Sequence, residues 1–192
     1  MQIVAASVWA ATAYVVVDAM KSRKIAFGAV VAALSLVLML LTGIMPFGTY
    51  AFPCFAGILL VAIVIDFGIP WALGVYAGIA VLSLLLVSDK EAALYYVLIL
   101  GIYPILKSLF ERIRLKWLIF TVKLVYFNLM AVAAFFISIY VLAVPVDSFS
   151  IFGVNMPLLF LVLGNGVFVV YDICVTRLIY VYVNIWHNRF KF

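Results

Sequence analysis

Charge is what this chain has least of. Only 10% of its 192 residues are Asp, Glu, Lys or Arg, against 70% hydrophobic. A water-soluble domain carries about a quarter of its residues as charged groups, so a globular enzyme with a solvated surface is excluded. Histidine is nearly absent, with His187 alone, and the two cysteines are Cys54 and Cys174. So few ligands provide no cluster at metal-binding spacing and no disulfide framework. No phosphate-binding glycine loop, nucleophile elbow or paired-carboxylate motif is present. The sequence therefore predicts neither an enzyme nor a resident cofactor. Alternation of apolar and polar residues is also missing: Val30–Leu41 and Ile58–Ile65 are apolar on every side, which excludes the pattern of a transmembrane β-barrel.

What is present is a series of apolar runs, each near the length of about twenty residues that a helix needs to cross a bilayer. They extend over Ile3–Val17, Ile25–Ile44, Phe52–Ile65, Trp71–Val87, Ala92–Leu106, Leu118–Val144 and Met156 to about Val183. Lipid offers no hydrogen-bond partners, so these runs predict an all-α polytopic bundle. Ile3–Val17 is short and rich in alanine, and Phe52–Ile65 is also short; either can be tilted, re-entrant or interfacial. No basic leader precedes Ile3, so that segment reads as a helix retained in the mature chain. Two parts are expected: residues 1–20, an additional N-terminal transmembrane or interfacial helix, and residues 21–192, a membrane domain of six helices.

The basic residues fall in three groups: Lys21, Arg23 and Lys24; Lys107, Arg112, Arg114 and Lys116; and Arg189 and Lys191 with His187. If each run crosses once, all three lie on one side, and the opposite loops hold only Lys90. The positive-inside rule makes that side cytoplasmic, with the N-terminus outside and the C-terminus inside a bacterial plasma membrane. The pI of 9.2 then reports topology and contact with anionic membrane lipid, and nucleic-acid binding is not expected.

Small residues mark the helix after Lys24. Gly28 and Ala32, and Ala29 and Ala33, are two pairs at a spacing of four, a stripe along which another helix can approach closely. Internal packing and partner docking are both open readings of it. Beyond the stripe come an apolar loop, a proline-containing helix and a glycine-rich third helix, in the stretch KIAFGAVVAALSLVLMLLTGIMPFGTYAFPCFAGILL and onward to Val87. This order of features resembles the substrate-binding S component of energy-coupling factor (ECF) vitamin transporters. The later segments DKEAA (Asp89–Ala93), GIYPILK (Gly101–Lys107) and GNGVFVVYD (Gly164–Asp172) are more similar to bacterial membrane proteins akin to S components than to any vitamin-specific subgroup. The resemblance implies a non-catalytic, six-helix, solute-binding subunit of an ABC importer for a small nutrient such as a vitamin. It also implies docking of Ala29 and Ala33 on a membrane T subunit energised by two ATPase subunits. The helix before Lys21 departs from that pattern.

An outward cavity in such a subunit would be lined by residues of matching depth: Thr49, Tyr50, Lys90, Glu91, Tyr95, Tyr96, Asn155 and Asn165. Aromatic faces and amides suit a small planar or polar solute. Tyrosines also collect at bilayer interfaces as anchors, and Lys90 between Asp89 and Glu91 equally describes a solvated loop. Asn128 and Asn165, near mid-depth, can bond between helices instead of to a ligand. Asp172 and Arg177 sit near the inner interface, with Lys123 or the basic loop available to Asp172. Residues 107–116 read as a short amphipathic loop on anionic headgroups. The competing class is a non-catalytic assembly protein that packs against a partner through its small-residue faces. A lipid-modifying enzyme would need a convergent acid and base that the sequence does not offer.

Overall fold

The computed structural model describes the backbone of residues 2–45, 48–113, 115–142, 150–151, 154–155 and 157–187, and side chains between residues 21 and 184 apart from 116 and 150–160. It is built of helices: α1 (Gln2–Leu41), α2 (Gly48–Phe67), α3 (Ile69–Leu86), α4 (Lys90–Tyr95), a π-helical turn (Tyr96–Leu100), α5 (Tyr103–Phe110), α6 (Lys116–Tyr140) and α7 (Pro157–Val181), which runs on into a second π-helical turn (Tyr182–His187). Strands β1 (Ser150–Ile151) and β2 (Val154–Asn155) form a minimal antiparallel pairing between α6 and α7.

Among the described residues, six helical stretches are long and apolar enough to cross a membrane: Lys21–Leu41, Gly48–Phe67, Ile69–Leu86, Lys90–Phe110, Trp117–Tyr140 and Leu161–Asn184. The protein is thus a multi-pass membrane protein. One expectation changes form. Instead of two segments separated at the Lys21–Lys24 cluster, the first helix is continuous for 40 residues, or about 60 Å. The sequence from Asp18 to Phe27 contains no glycine or proline to interrupt it, and Ala, Met, Lys and Arg all favour helix. The side chains of residues 2–20 lie outside the described set.

Helix α2 is the centre of the bundle, touching α1, α3, α4, α5, α7 and the first π-helical turn. Leu60 and Ile63 join a core with Met39 of α1 and Ile79 of α3, while Val61 joins a second core with Phe127 of α6 and Phe168 of α7. Outward faces remain apolar, as at Val30, Leu85, Leu129 and Val170, the surface a bilayer covers. Gly68, with φ of 85°, makes the one-residue turn from α2 into α3, a conformation that glycine adopts without a steric penalty, and Pro70 follows in the first turn of α3.

The first π-helical turn determines how the two halves join. Widening a helix to i→i+5 bonding, seen where Gly101 N–H donates to Tyr96 O at 2.8 Å, disturbs the ordinary pairing of the carbonyls nearby. Three tyrosines from three helices supply donors: Tyr76 OH to Val97 O at 2.5 Å, Tyr126 OH to Leu98 O at 2.6 Å, and Tyr171 OH to Leu100 O at 2.9 Å. Gly57 lets α2 come against this turn, since an added Cβ would meet the Leu100 carbonyl and lie 2.7 Å from Tyr171 OH.

Candidate functional site

Polar groups inside the bundle form three tiers along its axis. The basic groups Lys21, Arg23, Lys24, Lys107 and Arg112 fall towards one end, where Trp71 Nε1 donates to Lys24 O at 3.3 Å and Tyr182 OH donates to Asp66 Oδ2 at 2.5 Å. Lys90 lies at the opposite end, its Nζ donating to Leu84 O at 2.9 Å.

Towards the basic end, α5, α6 and α7 are joined by an ion cluster. Lys107, fully buried, donates from Nζ to Asp172 Oδ1, to Thr176 Oγ1 at 2.7 Å and to Glu111 Oε1 at 3.0 Å. Lys123 Nζ reaches both oxygens of Asp172 at 3.0 Å, and Tyr103 OH donates to Asp172 Oδ1 at 2.5 Å. Two cations and two carboxylates cancel, which offsets the loss of hydration that an isolated charge at this depth would suffer. Lys123 was available to Asp172 on the sequence. Lys107 was available too, as the first residue of the basic loop, but its setting differs: the expected amphipathic loop from residue 107 begins instead inside α5, with Lys107 buried in the bundle. Its signal was the spacing of four in Tyr103, Lys107 and Glu111, which places all three on one helix face, matched by Asp172 and Thr176 on α7.

In the middle tier, the amides of Asn128 and Asn165 bond reciprocally, Nδ2 to Oδ1 at 2.9 Å in both directions. Each also donates to its own helix, Asn128 to Leu124 O and Asn165 to Leu161 O, both at 2.8 Å. All amide hydrogens of the pair are engaged. Asn165 therefore ties α6 to α7.

Towards the end opposite the basic cluster, α2, α4, the first π-helical turn, α6 and α7 line a half-open cavity of about 450 Å³. Its floor includes Leu100, Phe127, Phe168 and Tyr171, and Tyr50 and Tyr95 line it with ring centroids 5.2 Å apart. The volume lies within the range of roughly 300–1,000 Å³ found for small-molecule sites. Of the residues expected around a solute, Tyr50 and Tyr95 come together here. Thr49 instead donates to Asp89 Oδ2 at 2.8 Å, while Asp89 Oδ1 caps α4 by accepting from Ala92 N at 3.0 Å. Lys90 and Glu91 occupy the first turn of α4 outside the cavity wall. Tyr96 is wholly buried away from the cavity, its ring against Gly101 and its hydroxyl unpartnered. Asn155 belongs to β2, and its side chain lies outside the described residues.

The small-residue stripe on α1 divides. Gly28 is buried against Trp71 and Val75 of α3, and Ala32 packs on the inner core. Ala29 and Ala33 face outward. Among the described residues no three His, Cys, Asp or Glu side chains converge as metal ligands. Comparison of the chain with protein-family models, curated proteins and solved structures gave no match.

Proposed function

We propose that this protein is the solute-binding membrane subunit of an ECF-type importer, non-catalytic itself, which takes a small nutrient from outside a bacterial plasma membrane and depends on a T subunit and two ATPase subunits for energy. The observation that carries the reading is the cavity of about 450 Å³ in the half of the bundle away from the basic clusters. Leu100, Phe127, Phe168 and Tyr171 form its floor, and the Lys107–Asp172–Lys123 cluster lies between that floor and the basic side. The outward-facing Ala29 and Ala33 give a partner helix a smooth surface, as the resemblance in sequence implies. That same surface supports the competing reading, a non-catalytic assembly protein.

Affinity purification from native membranes in mild detergent separates the two readings. The importer reading expects a T subunit and two ATPases in the eluate, lost with Ala29→Trp or Ala33→Trp, together with a retained small molecule. Recovery of a different membrane protein through the same alanines, with an empty cavity, would replace it with the assembly reading.

A further inference from the structure

We infer that the ligand of this cavity is a neutral, largely apolar molecule with a single hydroxyl or carbonyl end, and that it enters sideways from the bilayer between α6 and α7. The inference rests on the reading of the cavity as a solute site and specifies what that site accepts.

Among the described residues sixteen line the cavity, and none of these carries a charge at neutral pH. Among these sixteen, side-chain heteroatoms come only from Tyr50, Cys54, Tyr95 and Tyr171. Tyr171 already donates its proton to Leu100 O at 2.9 Å. The two lysines deepest in the bundle are held by Asp172, below the Asn128–Asn165 pair. A phosphate or carboxylate entering the cavity would thus give up its hydration without meeting a cation among these residues, the cost of an unpaired buried ion. What remains for recognition among the described residues is the Tyr50–Tyr95 pair, whose ring centroids lie 5.2 Å apart. Each hydroxyl has one proton to donate and lone pairs to accept, enough to hold a single oxygen on the ligand. Aromatic walls, with Phe127 stacked on Phe168 at 4.6 Å, suit rings or an unsaturated chain.

The route follows from exposure. Val132 and Phe136 on α6 and Leu163 and Val167 on α7 line the cavity, yet are 43%, 51%, 54% and 59% exposed. On α6 they belong to a stripe that includes Leu129 and Tyr140 at helical spacing, the face towards lipid. The wall of the cavity therefore continues into the lipid-facing surface at this seam, across which the Asn128–Asn165 pair ties α6 to α7. A molecule dissolved in the bilayer reaches the site without crossing water.

Photo-crosslinking of the full chain in nanodiscs tests this with four probes of matched chain length: a diazirine-bearing long-chain alcohol, the corresponding carboxylate and ammonium, and a phosphatidylcholine with the diazirine in its acyl chain. The alcohol is expected to label the inner wall at Tyr50, Tyr95 or Phe127, saturably against unlabelled alcohol. Labelling should fall about tenfold with Ala131→Trp, the lower range for steric mismatch in an apolar pocket. The phosphatidylcholine is expected to label only the rim at Val132, Phe136, Leu163 and Val167. Preferential inner-wall labelling by the carboxylate or ammonium overturns the neutral-ligand inference. Unsaturable inner-wall labelling by phosphatidylcholine makes the cavity a groove for bilayer lipid. Competition by unlabelled alcohol needs no variant, so a poorly folded Ala131→Trp protein leaves the test intact. Because the assay contains no T subunit or ATPase, it is separate from the importer test.

Discussion

Asp172 binds two lysines and a tyrosine, so its removal differs in kind from removal of either lysine. Asp172→Ala leaves Lys107 and Lys123 facing each other with Glu111 as their shared counter-ion, Lys107 being fully buried. We expect a loss of about 3–5 kcal/mol, the usual consequence of stranding a buried charge. Lys107→Met should cost less, about 1–3 kcal/mol, because Lys123 retains both carboxylate oxygens and Tyr103 retains its bond. Unfolding in mixed micelles titrated with a denaturing detergent measures both, and equal losses would mean that the two lysines do not share the aspartate. Tyr96 behaves in the opposite way. Its buried hydroxyl has no partner, so Tyr96→Phe is expected to leave stability unchanged or raise it by up to about 1 kcal/mol, and to leave ligand retention unaltered. Loss of a retained ligand in Tyr96→Phe would return this residue to the binding site.

The first π-helical turn gathers hydroxyls from α3, α6 and α7, which makes it the joint of the bundle. Tyr171→Phe removes the donor to the Leu100 carbonyl in a buried setting and should destabilise by about 1–3 kcal/mol, as should Tyr126→Phe at Leu98. Hydrogen exchange measured by mass spectrometry in detergent should show faster exchange within residues 96–101 in both variants; an unchanged rate there would deny the tyrosines this role. The sequence could announce the helices around this joint but not the joint itself. Apolar runs such as Trp71–Val87 and Leu118–Val144 locate α3 and α6 to within a few residues because lipid permits little besides helix there. YYVLILGIY, by contrast, reads alike for α and π geometry, and the choice depends on donors that arrive from distant helices. Interface anchoring was the competing reading for Tyr50, Tyr95 and Tyr96; Tyr96 is wholly buried, and Tyr76, Tyr126 and Tyr171, which the sequence did not single out, also turn inward. For the cavity, Tyr50 and Tyr95 were legible from depth alone. The apolar partners Phe127 and Phe168 were not, since an aromatic on a spanning helix meets lipid or core according to helix rotation, which packing decides.

The fold brings Lys24, Asp66, Trp71 and Tyr182 to one end and Thr49, Asp89 and Lys90 to the other, as expected for six antiparallel crossings. This geometry fixes which loops share a side without saying which side faces the cytoplasm. The distribution of charge supplies the sign. Lys21, Arg23, Lys24 and Arg112 stand at the end with Asp66, and Lys90 stands at the other, so the positive-inside rule predicts residues 110–113 on the cytoplasmic side and residues 86–90 outside. In a Cys54→Ser, Cys174→Ser background, Ser88→Cys should be labelled by a membrane-impermeant maleimide applied to intact cells. Arg112→Cys should be labelled only after permeabilisation. Both positions are exposed, so absence of labelling in intact cells reports the membrane barrier and not burial. The reverse pattern would put the cavity half of the bundle towards the cytoplasm. An importer that captures its solute from outside would then be untenable, while entry of a neutral ligand from the bilayer, which begins in lipid on either orientation, would still stand.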